Sequence, residues 1–456
     1  MSPQTRPSSL RWGRDVKTRH VTGEGVGCGE RSCALYSPPA ARRAESLRAA
    51  DLGGDFGSLV RDGSVKEAII FGAGNIGRGF MGQLFSESGY RVTFVDIDRL
   101  LLEALNRRGA YTIRMVTNEG AEEVTIGPVQ GLHAGDVAAV AQALSRAEIG
   151  ATAVGAKALP QIAPLVAQGV IQRARAGVNE PFNLILCENL HGAAAIFRQM
   201  VLAALPAEFH PFLAEHIGFV DTVIARMVPP LPPELRAQDP SLIIVEPYKE
   251  LPVDRDGFIG PPPSIVGMIP CSPFAFFTDR KLYVHNAGHA VLGYLGYLHG
   301  HTYTYEALAD DEIYFQVRGA MEESGLALQR KYHPPAGTLM ASLEDLLRRF
   351  GNRALGDTVL RVGRDPIRKL GRTDRLVGAA LNALAQDVYP AHLLTGIAAA
   401  LLFDHPDDPI ARELQGRLRQ KGVEGVLQEV CGLQADEPLF DMAAQRYRAL
   451  ASRYKR

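Results

Sequence analysis

From Lys66 onward the chain alternates between short, fully apolar runs and longer stretches whose apolar residues recur three or four positions apart. The short runs are "AIIF" (68–71), "RVTFVD" (91–96), "ATAVG" (151–155) and "FNLILCEN" (182–189). Runs of this length with little alternation predict strands buried on both faces, as in a parallel sheet. Between the last two lies "ALPQIAPLVAQGVIQRARAG" (158–177), whose period is that of an amphipathic helix. Strand, helix and strand in repeated order predict a doubly wound α/β unit. Further on, "LIIVEPYKELPVD" (242–254) is strand-like and "GPPPSIVGMIP" (260–270) is a Pro-rich turn, and from about Thr278 almost every segment is helical in pattern. No internal repeat is present. The first 64 residues carry no apolar periodicity and are rich in Arg, Ser, Gly and Pro, which predicts a disordered extension or a start codon placed too early. The expected organisation is therefore an extension over 1–64, a doubly wound α/β unit over 65–212 and a mainly α-helical unit over 213–456.

The most informative segment of the N-terminal half is "AIIFGAGNIGRGF". A predicted strand runs into Gly72, Gly74 and Gly77, with Ala73, Asn75 and Ile76 between them, and then into a helix. This is a dinucleotide fingerprint in the context it needs, and it makes the fold expectation Rossmann-type. The glycines permit a tight turn and let the backbone approach a pyrophosphate, while the helix N-terminus offers unpaired N–H groups. Asp96 ends the next strand, where a carboxylate accepts from both ribose hydroxyls and repels the 2′-phosphate of NADP, so the expected cofactor is NAD. Arg99 could instead accept a 2′-phosphate. Ligands in such sheets lie beyond the carboxyl ends of the strands, which directs Gly155 and Asn189 toward the same crevice. For Asn189, capping the following helix is an equal alternative.

A second concentration of polar residues is "KLYVHNAGHA" (281–290). At about 100° per residue, His289 falls roughly 80° and Asn286 roughly 140° from Lys281, so one helical face can carry all three. A solvated face is the bland alternative. His285 and His289, four apart, resemble half a zinc site but lack the neighbouring Glu and a third ligand.

Composition changes the picture mainly by exclusion. With 456 residues, 46% hydrophobic, and a formal net charge of -1, the chain offers no electrostatic attraction to nucleic acid. It also lacks the run of about 18 apolar residues that a membrane span needs. Five scattered cysteines argue for a reducing compartment, and a cytoplasmic, small-molecule enzyme is the expectation.

Six segments together resemble the long-chain, metal-independent polyol dehydrogenases: "FGAGNIGRGF" (71–80), "CENL" (187–190), "GFVDTVIARMVPP" (218–230), "KLYVHNAGHAVLGYLG" (281–296), "AMEESG" (320–325) and "VGRDPIRKL" (362–370). The resemblance implies roles. Lys281 is the general base, Asn189 and Asn286 hold the substrate oxygen, His289 bonds a neighbouring hydroxyl, and no metal takes part. Asp221 lies near the substrate or the domain junction, or else pairs with Arg226. Ala287 and Gly288, where free-polyol members tend to carry a Ser, point to the branch that uses phosphorylated hexitols, hence to mannitol 1-phosphate and fructose 6-phosphate. Arg364, Arg368 and Lys369 are then the expected phosphate contacts, although a cluster of this kind is also what a solvated helix face looks like. A free polyol or hexuronate substrate is the alternative, and a silent NAD-binding sensor is a further one. The expected assembly is a monomer or a small homo-oligomer.

Overall fold

The computed structural model describes residues 65–454; the extension expected over 1–64 lies outside the described residues. Eight strands follow one another in the first half: β1 (Glu67–Phe71), β2 (Arg91–Asp96), β3 (Tyr111–Val116), β4 (Ala121–Ile126), β5 (Val129–His133), β6 (Ile149–Thr152), β7 (Phe182–Leu186) and β8 (Ile217–Asp221). Six of them form one parallel sheet in the order β5-β2-β1-β6-β7-β8. Because side chains alternate along a strand, β1 serves two cores at once. Ala68 and Ile70 enter one with Phe80, Leu84 and Phe94, and Ile69 and Phe71 enter the other with Val166, Val170 and Phe197. That double burial explains why the strand reads as an unbroken apolar run.

Helix 75–87 follows β1 directly and is π-helical over Gly77–Gly82. Two carbonyls of the widened turn bond outside the helix: Arg78 O accepts from Tyr111 Oη at 2.6 Å and Gly79 O from Arg226 Nη1 at 2.9 Å. Those external donors compensate for the poorer intrahelical geometry of a π-turn.

The sheet side of the molecule continues past residue 212, the expected boundary. β8 is the edge strand of the main sheet, β9 (Ile243–Val245) joins β3 and β4 in a second sheet, and β10 (Leu251–Asp254) pairs with β11 (Met268–Cys271). Only from Ala275 is the chain helical almost throughout. Membership of a sheet is a long-range property that a local pattern does not carry.

At the centre of the helical half is Ala287–Leu298, packed against Asp311–Tyr332, Val359–Gly363 and Ala391–Leu402. A Cβ on Gly288 would lie 2.5 Å from Met321 Cγ, so glycine is what lets these two helices approach. Among the described residues, no helix is long and apolar enough to cross a membrane.

Candidate active site

The strand order reverses between β1 and β6, and the crevice of a doubly wound sheet opens at that point. Gly72 there has φ +97°, and a Cβ on it would sit 2.5 Å from Ala153 O. A Cβ on Gly77 would come within 1.9 Å of Gly72 O, so neither position accepts a side chain. Gly74 differs: nothing lies within 4 Å of where its Cβ would be, and Gly74 and Asn75 are exposed at the helix start. Buried glycines thus shape the turn while an open one leaves room for a ligand, which fits a dinucleotide pyrophosphate. Gly155, with φ +84° and open space around it, lies in the turn after β6.

Asp96 stands at the end of β2 as expected. Its Oδ2 accepts from Ala73 N at 2.6 Å, and its Oδ1 accepts from Ile97 N at 2.7 Å and Asp98 N at 3.0 Å. A carboxylate offers about four acceptor positions, so it braces the glycine turn and keeps capacity for a ribose hydroxyl. Glu188, quoted in sequence without a role, is buried beside this crevice. It accepts from Thr152 Oγ1 and from Val154 N at 3.1 Å, tying the ends of β6 and β7 together. Burial pushes its carboxyl above the ordinary range against those hydrogen bonds. Asn189, the next residue, is exposed on the turn; Gly192 starts helix Ala193–Ala204, so Asn189 does not cap it.

Lys281, His285 and Asn286 lie on a π-helical stretch, Arg280–Asn286, that leads straight into the central helix carrying His289. A π-turn is wider than the 100° periodicity assumes, and such turns are frequent at functional sites. Among the described residues, the Lys281 amine and the Asn286 amide have no protein hydrogen-bond partner. Burial pulls Lys281 well below the ordinary lysine pKa, and the nearby cations Arg349 and Arg375 pull it further, with Glu246 opposing. His289 Nε2 lies 3.3 Å from Asp357 Oδ2, and its ring stacks on Phe350 at 4.7 Å between centroids. Asp357 is held in turn by Arg361, whose Nε donates to Oδ1 at 2.6 Å. Burial opposes its ionisation, but His289 and Arg361 bring its carboxyl down to about 2. The imidazole is thereby oriented by a carboxylate while burial holds its pKa below the ordinary value.

His285 is buried edge-on to both His289 and Phe350. Burial, then the fields of Lys281 and Arg349, pull its pKa well below the ordinary imidazole value. It is therefore packing beneath the site, and the cations that depress Lys281 are arginines.

Arg349 was not singled out from sequence, yet it joins the two halves. Its Nε and Nη2 donate to Glu246 Oε2 and Oε1 at 2.8 and 2.6 Å, and Nη2 also donates to Ala225 O at 2.5 Å. Glu246 Oε1 accepts from Met227 N at 2.5 Å, and its carbonyl accepts from Arg226 Nε at 2.7 Å. Arg226 therefore pairs with this loop and with Gly79, not with Asp221. Asp221 instead accepts from Ala194 N at 2.9 Å, bracing the start of the helix after β7.

The three expected phosphate contacts separate. Arg364 and Arg368 are exposed; Arg364 lines a surface hollow with Arg361, His405 and Asp408, and Arg368 is paired with Asp365 and Asp374. Lys369 is buried with its amine on Arg364 O, and burial, with Arg375 and Arg368 nearby, brings it down to about 7. The cluster's contribution near Lys281 is Arg375, largely buried, with Nε on Asp374 Oδ1 at 2.7 Å.

A doubly wound nucleotide-binding fold carrying a free, desolvated lysine on an adjoining helical unit defines the class of a two-domain dehydrogenase. The chain belongs to the mannitol dehydrogenase family: residues 66–267 match its Rossmann domain and residues 274–451 its C-terminal domain. Among solved structures it is similar to Pseudomonas fluorescens mannitol 2-dehydrogenase, in a ternary complex with NAD and D-mannitol. That match has 19% identity and a TM-score of 0.67, over 85% of this chain and 92% of the other. A D-sorbitol dehydrogenase in substrate-free form matches with 18% identity and a TM-score of 0.71, over 85% and 93%.

Proposed function

We propose that the chain is an NAD-dependent oxidoreductase interconverting D-mannitol 1-phosphate and D-fructose 6-phosphate, with Lys281 as general base. The observation that carries the reaction class is the Lys281 amine, desolvated, depressed in pKa and without a protein partner. A neutral amine takes the hydroxyl proton of a secondary alcohol. Asn286, and Asn189 from the sheet side, donate to the oxygen as it gains charge, and an amide does so without adding a charge that competes with lysine. His289, fixed by Asp357, bonds a neighbouring hydroxyl. NAD bound in the crevice accepts the hydride. Arg375, with Lys369 close by, supports a phosphorylated substrate, because a guanidinium suits a phosphate.

A free polyol is the second reading, favoured by the D-mannitol bound to the mannitol 2-dehydrogenase and by the similarity to a D-sorbitol dehydrogenase. Initial rates with NADH decide between them. Fructose 6-phosphate is expected to exceed fructose in kcat/KM by at least about tenfold, and a preference for fructose assigns the free-polyol reading. Asp96→Ala is expected to relax the preference for NAD over NADP, measured as the ratio of their kcat/KM values. An unchanged ratio would mean that another group reads the ribose.

A further inference from the structure

Past the end of the central helix the chain reads "HGHTY", and its two histidines meet a carboxylate from another element. His299 Nδ1 lies 3.0 Å from Asp310 Oδ2, and His301 Nε2 lies 3.5 Å from the same oxygen. All three atoms fall within 4.8 Å of one another. We propose that His299, His301 and Asp310 form a binding site for a divalent transition-metal ion of the zinc type, separate from the catalytic cleft.

Four observations lead there. The two carboxylate oxygens of Asp310 divide their work: Oδ1 caps helix Asp311–Tyr332 by accepting from Glu312 N and Ile313 N, while Oδ2 is left to the histidines. His301 Nε2 is buried from solvent and makes no hydrogen bond, so a nitrogen that wants a partner lies 3.5 Å from that oxygen without one. His299 is oriented from behind, with Tyr454 Oη 2.6 Å from its Nε2. A ligating imidazole ordinarily has its other nitrogen fixed in this way. Finally, Zn–N and Zn–O bonds near 2.0–2.1 Å place tetrahedral ligands roughly 3.3–3.4 Å apart, which the two measured separations bracket.

The donor set of two imidazoles and one carboxylate suits zinc or a neighbouring borderline metal rather than calcium or magnesium. His299 lies ten residues beyond His289, about 15 Å along a helix, so an ion here does not touch the reacting atoms. Its ligands come from the turn after the central helix and from the start of Asp311–Tyr332, and through Tyr454 it reaches helix Pro438–Tyr454. An ion would staple three helices of the domain.

The test titrates the intact chain with Zn²⁺ by calorimetry after dialysis against EDTA, with His301→Ala and the bulkier His301→Gln alongside. The His301 ring makes no hydrogen bond, so neither variant removes a helix cap. One equivalent of Zn²⁺ is expected in the unaltered chain, weakened at least tenfold in both variants, with a Zn²⁺-dependent rise in melting temperature only in the unaltered chain. No binding by the unaltered chain, or equal binding by all three, overturns the site.

Discussion

Lys281→Met is expected to lower turnover by about 10²–10⁴-fold, the usual contribution of a general base, and at the same time to raise the melting temperature at neutral pH. Both effects have one cause. The folded protein holds this amine well below its ordinary pKa, because burial and the fields of Arg349 and Arg375 disfavour the charge. At neutral pH the unfolded chain therefore binds more protons at this position than the folded one. Stability then rises with pH from the folded pKa up to about 10.4, where the unfolded lysine deprotonates. Methionine removes that penalty, so the variant is more stable and loses part of the rise. Alcohol oxidation by the unaltered chain is expected to switch on at a pH well below the ordinary lysine value. Thermal melts and kcat/KM profiles from pH 6 to 10 check both; full turnover in the variant would end the assignment of Lys281 as base.

Glu246→Gln should be the most destabilising single change near the site, at about 3–5 kcal/mol, the range for removing one partner of a buried ion pair. Glu246 is 1% exposed and Arg349 9%, so solvent cannot take over the neutralisation. The carboxylate also accepts from Met227 N, which a glutamine oxygen can still do; the lost term is the charge facing Arg349. Denaturant unfolding measures the loss. The pH profile adds an independent readout. With Glu246 neutral, the force that raises the Lys281 pKa disappears while Arg349 remains, so the acid limb of oxidation, where activity switches on, moves to lower pH. A variant that unfolds like the unaltered chain would show that the pair is solvated.

What the sequence made legible was local. The strand, glycines, helix, strand and acid from Ala68 to Asp96 lie in one contiguous segment, and each signals its own geometry. Lys281, Asn286 and His289 do lie on one continuous helical stretch, as their spacing suggests, but its first part is π-helical, which a 100° period does not foresee. Arg349 and Glu246 were not legible, since 103 residues separate them and neither carries a local motif. The arginine cluster failed as a guide to which cation faces inward because the backbone breaks twice inside it. Asp365 takes a left-handed conformation with φ +61°, and Gly371 ends the short helix Pro366–Leu370, so no single period projects from Arg361 to Arg375.

Arg226 bonds Gly79 in the glycine-loop helix and Glu246 in the loop that neutralises Arg349, and Arg349 in turn sets the charge beside Lys281. This strut joins the glycine-loop helix to the charge beside the lysine through protein hydrogen bonds alone. Linkage then works in both directions: a cofactor that shifts the proton affinity of Lys281 by some factor has its own affinity shifted by that same factor when the lysine is titrated. Along that path, the order in which proton and cofactor arrive becomes a matter of rate, while their joint equilibrium stays fixed.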